Sequence, residues 1–256
     1  MWRIKELKGA ASFALQDGAM PLVVVNYWRG KGWGTGPGNG ALAKRTKPAV
    51  LVCLLLGVAV LCGGAARSDT IADCFSEDNE RRITGCTSLL DVPGLSKAEK
   101  SLAFAMRALA YSLKGKYDQA LPDYDHAIEL DPSSAIALNN RAWAYYKTGR
   151  MQRGLRDVER SIQLQPSSAH AHDTRAHIYQ LMGNPTRALA DYERAVRFGG
   201  ERIVKLYQCG LATFGLYKGN IDGVYSAATR DAMKTCVTKS DCDPLPADEE
   251  CRFATS

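Results

Sequence analysis

No motif of enzyme chemistry can be found along this chain. It has no His-Glu-x-x-His pattern, no phosphate-cradling glycine loop and no nucleophile elbow. Acid–base and nucleophilic catalysis need tuned groups held together, and no such set is evident, so the protein is not expected to be an enzyme. Histidine is scarce, with four in 256 residues, and no cysteines show the paired C-x-x-C spacing of a thiolate zinc site. Neither a metal nor any other cofactor is expected. Acids are almost missing from residues 1–66, where only Glu6 and Asp17 face eight Lys/Arg. The net charge of +6 therefore belongs to that segment, since the remainder carries 25 basic and 25 acidic side chains. A balanced body without a basic stripe excludes nucleic acid as an expected partner.

The apolar run Ala49–Cys62 (AVLVCLLLGVAVLC) has 14 residues, short of the ~20 that a membrane helix requires. Lys44, Arg45 and Lys47 precede it and the small residues GGAARS follow, which is the order of a secretory signal peptide with cleavage after Ala66 or Ser68. Membrane attachment is expected only through an uncleaved leader. Cys62 follows Leu61, whereas lipid-modified cysteines resemble a pattern with a small residue there, so lipidation is not expected. The Gly-rich stretch before Lys44 reads as disordered or as an over-extended start, with Met20 a second candidate start. The expected location is the periplasm or cell envelope. Export leaves Cys74, Cys86, Cys209, Cys236, Cys242 and Cys251 for an oxidising compartment. Their clustering at both ends of the body favours Cys74–Cys86, Cys209–Cys236 and Cys242–Cys251.

Between those clusters the chain repeats itself. From Ser101, Ala135 and Ala169, three stretches superpose at a 34-residue offset without a gap. Each carries Ala (Ala108, Ala142, Ala176), Tyr (Tyr111, Tyr145, Tyr179) and Gly (Gly115, Gly149, Gly183) at identical intervals. Small residues recur further on, at Ala120, Gly154, Ala188 and at Ala127, Ser161, Ala195, with Tyr124, Val158 and Tyr192 between them. This is the pattern of a helical hairpin: small residues allow close approach, Gly makes the turn, and Pro132, Pro166 or Gly200 ends the second helix. The stretches resemble the tetratricopeptide repeat family, which implies an all-α solenoid of helical hairpins with a protein or peptide partner. One departure recurs. Arg107, Arg141 and Arg175 stand where the family often has an aliphatic residue, each sixteen residues before Asp123, Asp157 or Asp191. Each Arg is expected to pair with an Asp across the hairpin or to a neighbouring repeat.

Before the repeats, Ser76–Leu90 reads as an amphipathic capping helix that ends ahead of Pro93-Gly94. After them, the segment from Ile203 resembles the small three-helix peptidoglycan-binding domain of bacterial wall proteins. The matching residues are Leu206, Gln208, Leu211, Gly215, Tyr217, Gly219, Ile221, Asp222, Gly223, Tyr225, Thr229 and Ala232. Ser226-Ala227 replace the family's Gly-Pro, though Ser226 can still cap a helix. The resemblance makes Tyr217, Asp222, Tyr225 and Thr229 candidate peptidoglycan-binding residues, while the same side chains could simply build a turn and core. The expected organisation is a leader (1–66), a capping segment (67–100), three repeats (101–200), the wall-binding-like module (201–240) and a Cys-containing tail (241–256).

On the middle repeat, Asn139, Asn140, Trp143, Tyr146 and Lys147 share one face of the first helix. Amides can pair with a peptide backbone and aromatics supply rigid contact area, so this face is the expected protein-binding groove. His170, Asp173 and His177 share a face of the third repeat and are expected to continue it as polar lining in preference to a metal site. Repeats of this family that clamp a terminal carboxylate use Lys and Asn in the first repeat. Ala105 and Leu109 occupy those places, so that mode is not expected. The function expected is an exported non-catalytic scaffold, with two alternatives: an accessory subunit of a wall enzyme, or a structural repeat protein whose terminal module only caps the array.

Overall fold

The computed structural model describes residues 70–245; the expected leader, its cleavage site and Cys251 lie outside that range. Eight principal helices follow in order: α1 (Asn79–Leu90), α2 (Lys97–Leu113), α3 (Tyr117–Leu130), α4 (Ala135–Lys147), α5 (Met151–Leu164), α6 (Ala169–Leu181), α7 (Pro185–Thr213) and α8 (Ala227–Cys236). Their starts are written locally. Ser96 and Glu99 form a reciprocal capping box on α2, and Ser134, Ser168, Asn184 and Ser226 accept from the third backbone N–H of α4, α6, α7 and α8. The capping helix opens at Asp78, whose carboxylate accepts from Arg81 N at 2.7 Å, and so begins at Asn79 instead of Ser76.

Helices α2 to α7 form three stacked hairpins with one turn chemistry. Gly115, Gly149 and Gly183 take φ of 69°, 75° and 71°, a left-handed conformation that glycine adopts without steric cost. Each following residue then bonds back to the repeated Tyr: Lys116 N to Tyr111 O at 2.9 Å, Arg150 N to Tyr145 O at 2.8 Å, Asn184 N to Tyr179 O at 2.9 Å. Ala108, Ala142 and Ala176 are wholly buried where the paired helices touch. A Cβ on Gly154 would lie 3.0 Å from Ala142 O and 3.1 Å from Ile178 Cδ1, so α5 owes its close approach to that glycine. Ser101 Oγ donates to Ala127 O (2.8 Å), and Ser161 Oγ donates to Ala135 O (2.7 Å), tying the first helix of a hairpin to its second.

The recurring Arg–Asp pairs form across each hairpin. Arg107 grips Asp123 with Nε and Nη2 at 2.7 Å each, Arg141 grips Asp157 at 2.7 and 2.9 Å, and Arg175 grips Asp191 at 2.6 and 2.9 Å. The remaining Nη1 reaches backwards along the stack, from Arg141 to Asp125 (2.8 Å) and from Arg107 to Thr87 of α1 (3.0 Å). One planar fork thus joins two helices of its own hairpin and the helix before it, a use that Lys could not reproduce.

Both ends of the array are covered. At the first, Cys74, Cys86, Leu89 and Leu95 pack on Met106 and Leu109 of α2, and a disulfide joins Cys74 to Cys86. At the second, the helical backbone of α7 breaks at Gly200 (φ 62°, ψ −154°), where the module boundary is expected, and Ile203, Tyr207 and Leu211 beyond the break share one core with Ala176, Tyr179, Ala188 and Tyr192 of the third hairpin. Within 201–240 the module contributes two helices, the rest of α7 and α8, in place of the expected three. Gly215 (φ 69°) ends α7 and Gly223 (φ 77°) turns the non-helical stretch 217–225, where Gln208 pairs with Gly223 N and Val224 O.

The cysteine pairing at this end is also corrected. Cys236 bonds Cys242, not Cys209, so Cys242–Cys251 is excluded as well. The chain folds back directly after α8, with Lys239 N bonded to Cys236 O at 2.9 Å, and brings the Cα atoms of Cys236 and Cys242 to 5.3 Å. Cys209 is also disulfide-bonded.

Candidate binding face

The 34-residue offset carries each place of one first helix onto the next. Its ninth place reads Leu109, Trp143, His177, its twelfth Ser112, Tyr146, Gln180, and its fifth Ala105, Asn139, Asp173. Helices α4 and α6 lie side by side, so these places form a continuous stripe: the Trp143 and His177 rings meet edge-on at 5.4 Å. Along the first repeat Leu109 of the stripe lies beneath the capping segment together with its neighbours Leu102, Met106 and Leu113, and Ser112 is buried against Tyr124.

On the middle repeat the stripe is a shelf. Trp143 and Tyr146 are half-buried, their centroids 4.9 Å apart, and exposed Lys147 holds its Nζ 5.4 and 5.8 Å from those two rings. Asn139 and Asn140 lie deeper, both buried. Their one mutual bond, Asn139 Nδ2 to Asn140 Oδ1, is long at 3.4 Å, and Asn139 Oδ1 is buried with no hydrogen-bond partner.

On the third repeat the expected open lining is corrected. His170, Asp173 and His177 are buried, because later segments return across them. Tyr207 Oη donates to Asp173 Oδ1 at 2.5 Å, and His177 Nε2 donates to Asp243 Oδ1 at 2.9 Å. Nδ1 of His177 faces Asp173 O at 2.9 Å. Two acceptors on one ring require a hydrogen on both nitrogens, hence an imidazolium. Burial opposes that charge, but Asp173 and Asp243 override it and raise the pKa to about 9. Burial pushes the Asp173 carboxyl up to about 6, with His177 and Tyr207 restraining it. His170, by contrast, is brought down to about 4 by burial and then by Arg202, and is neutral. The three residues share a helix face but have separate roles. Among the described residues no three His, Cys, Asp or Glu side chains are placed to hold a metal.

Sequence reasoning missed Gln180 and Asp243. Gln180 Nε2 donates to Lys239 O (2.9 Å) and Cys242 O (2.6 Å), with Cys236 O at 3.3 Å, and Tyr192 Oη donates to its Oε1 at 3.0 Å. The signal available was the register, since Gln180 stands one repeat on from Tyr146. Nothing in sequence announced Asp243.

Three of the four candidate peptidoglycan residues, Tyr217, Asp222 and Thr229, gather around Gln208, which is fully buried. Its Nε2 lies 2.8 Å from Asp222 Oδ1, 3.1 Å from Tyr217 Oη and from Val224 O, and 3.3 Å from Thr229 Oγ1. Its Oε1 accepts from Gly223 N at 2.9 Å. Tyr217 Oη donates onward to Asn220 O, and Thr229 completes the Ser226 cap of α8. Tyr225 stands apart, with a buried hydroxyl that has no partner. Tyr217, Asp222 and Thr229 are thus engaged in building the loop.

Comparison with known proteins gives one family signal. A model described as "TPR repeat" matches residues 108–149, and one described as "Tetratricopeptide repeat" matches residues 169–198. A search of curated proteins gives no match. Among solved structures, the first TPR of Spaghetti (RPAP3), bound to the HSP90 peptide SRMEEVD, is 25% identical, with 41% of this chain and 84% of that chain covered and a TM-score of 0.39. A MamA protein structure is 22% identical, covering 59% of this chain and 80% of its own, with a TM-score of 0.45. A second MamA structure is 16% identical over 47% and 68%, with a TM-score of 0.41. Residues 108–149 and 169–198 carry tetratricopeptide repeats, set in an all-helical solenoid of hairpins.

Proposed function

We propose that the protein is a non-catalytic scaffold of the bacterial cell envelope that holds a protein partner by an extended segment laid on the middle repeat. The observation that carries this reading is the shelf of half-buried Trp143 and Tyr146 with exposed Lys147 over both rings. The places equivalent to Trp143 and Tyr146 are buried in the first repeat (Leu109, Ser112) and in the third (His177, Gln180), which leaves the middle repeat's two aromatics as the accessible pair at those places. Disulfides at both ends of the array, together with the leader's charge and apolar pattern, support an exported, oxidising location. Selection from a displayed library of eight-residue peptides tests it. Selected peptides are expected to lose about 10–100-fold in affinity on Trp143→Ala, the cost of a buried aromatic anchor. Peptides indifferent to both Trp143→Ala and Tyr146→Ala would remove the middle repeat as the binding face.

For the carboxy-terminal module we propose the role of cap, with peptidoglycan binding as the lesser reading. The support is the shared core with the third hairpin and the engagement of Tyr217, Asp222 and Thr229 around Gln208. Purified protein spun with isolated peptidoglycan sacculi is expected to stay in the supernatant. Pelleting that is lost on Tyr225→Ala would restore the wall-binding reading.

A further inference from the structure

After α8 the chain reverses, and the Cys236–Cys242 disulfide holds the residues that follow against α6. Residues 239–245 contact that helix and the third hairpin in three ways. Gln180 captures backbone carbonyls, those of Lys239 and Cys242. The His177 imidazolium captures a carboxylate, that of Asp243. The core that the last hairpin shares with the carboxy-terminal module takes up an apolar side chain, that of Leu245, whose N–H bonds Asp243 Oδ1 at 2.9 Å. Backbone, acid and apolar anchor are the elements by which a groove recognises a peptide.

The location coincides with the binding stripe. His177 and Gln180 hold the same repeat places as Trp143 and Tyr146 one hairpin earlier, and the His177 ring touches both of those aromatics, at 5.4 and 5.5 Å. Lys147, at the solvent edge of the shelf, adds its field to Asp243. The groups facing the Asp243 carboxylate are therefore two cations, His177 and Lys147. The nearby acid, Asp173, is already bonded to Tyr207. Asp243 itself is no core residue: its side chain is 36% exposed, so it can leave without opening a sealed interior.

We propose that residues 239–245 are a tethered surrogate of the partner: the stripe formed by α4 and α6 takes an acidic peptide bearing Asp or Glu two places before an apolar residue, and that peptide binds by displacing Asp243. This rests on the reading of the middle repeat as the binding face and adds the chemistry of its ligand. A competitor held in the same chain acts at an effective concentration of order millimolar or above, so it must be displaced before a free peptide is seen to bind.

The probe is the blocked hexapeptide Ser-Asp-Ser-Asp-Pro-Leu, a copy of residues 240–245 with Ser for Cys242, titrated calorimetrically into the full chain with its disulfides intact. Binding is expected to be at least tenfold tighter to Asp243→Asn than to wild type. Adding His177→Gln to Asp243→Asn is expected to abolish the gain, as is Asn in place of the peptide's second Asp. Equal affinity for wild type and Asp243→Asn, no binding to either, or indifference to the peptide's second carboxylate would overturn the proposal. A measurement on wild type avoids any folding defect of the variant. Peptides selected against the groove should speed amide exchange at 239–245, and unchanged protection there also refutes displacement. Selected peptides that need Trp143 yet leave 239–245 protected would keep the binding face and remove the surrogate. A hexapeptide that binds Asp243→Asn but ignores Trp143→Ala would do the reverse.

Discussion

Asp191→Ala is expected to lower the unfolding free energy by about 3–5 kcal/mol, the range for removing one partner of a buried ion pair. Asp191 is almost completely buried, and its two oxygens receive Arg175 at 2.6 and 2.9 Å, Arg194 at 2.7 Å and His172 at 3.4 Å. Alanine leaves the Arg175 fork and the His172 ring facing a hole. Arg194, half exposed, simply turns to water and contributes little. Urea unfolding of the two proteins measures the loss. It also depends on pH with a definite sign. Burial alone would raise the Asp191 carboxyl, but His172, Arg175 and Arg194 bring it down to about 2. A lowered folded-state pKa means a contribution present in full above the ordinary carboxyl value of about 3.9 and lost as pH falls through about 2. The gap between wild type and variant should therefore narrow only in strong acid. A loss under 1 kcal/mol at pH 7 would show that desolvation cancels the pairing.

Gln208→Leu is expected to cost about 3 kcal/mol, the upper part of the range for stranding buried polar partners. The leucine fills the volume of the amide but offers neither an acceptor to Gly223 N nor a donor to Val224 O, Tyr217 Oη and Thr229 Oγ1. Those groups lie in the 217–225 loop and the first turn of α8, so the damage is local. Amide exchange should accelerate across 217–226 while the repeat turns at Gly115 and Gly149 keep their protection. If exchange rises equally in the first hairpin, Gln208 supports the whole array and not its end alone.

What the sequence made legible was whatever recurs at the repeat period. Ala108, Ala142 and Ala176 meet their partners, Gly115, Gly149 and Gly183 make equivalent turns, and the three Arg–Asp pairs close within the same hairpin. Three copies of a pattern average out local noise, and the contacts it implies span few residues. The end of the molecule lacked that support. His177 and Asp243 are separated by 66 positions and Gln180 and Cys242 by 62, with no period to connect them. Helical spacing correctly put His170, Asp173 and His177 on one face, yet spacing cannot say what comes back to cover that face. Closeness in sequence served as a proxy for cysteine pairing. It agrees with Cys74 and Cys86, but the reversal after Val237 gave Cys236 a nearer neighbour than Cys209.

In a stack of repeats each unit touches only its neighbours, so the outermost units, with one neighbour each, are where fraying begins. Here those are the units that carry covalent cross-links, Cys74–Cys86 ahead of the first hairpin and Cys236–Cys242 beyond the last. The hairpins between them, residues 101–200, contain no cysteine at all. Each cross-link closes a short loop within its own unit, with separations of 12 and 6 residues, and so reduces the freedom that a frayed tip can gain. Between the tips, where no cross-link stands, the Arg forks hold one helix to the next.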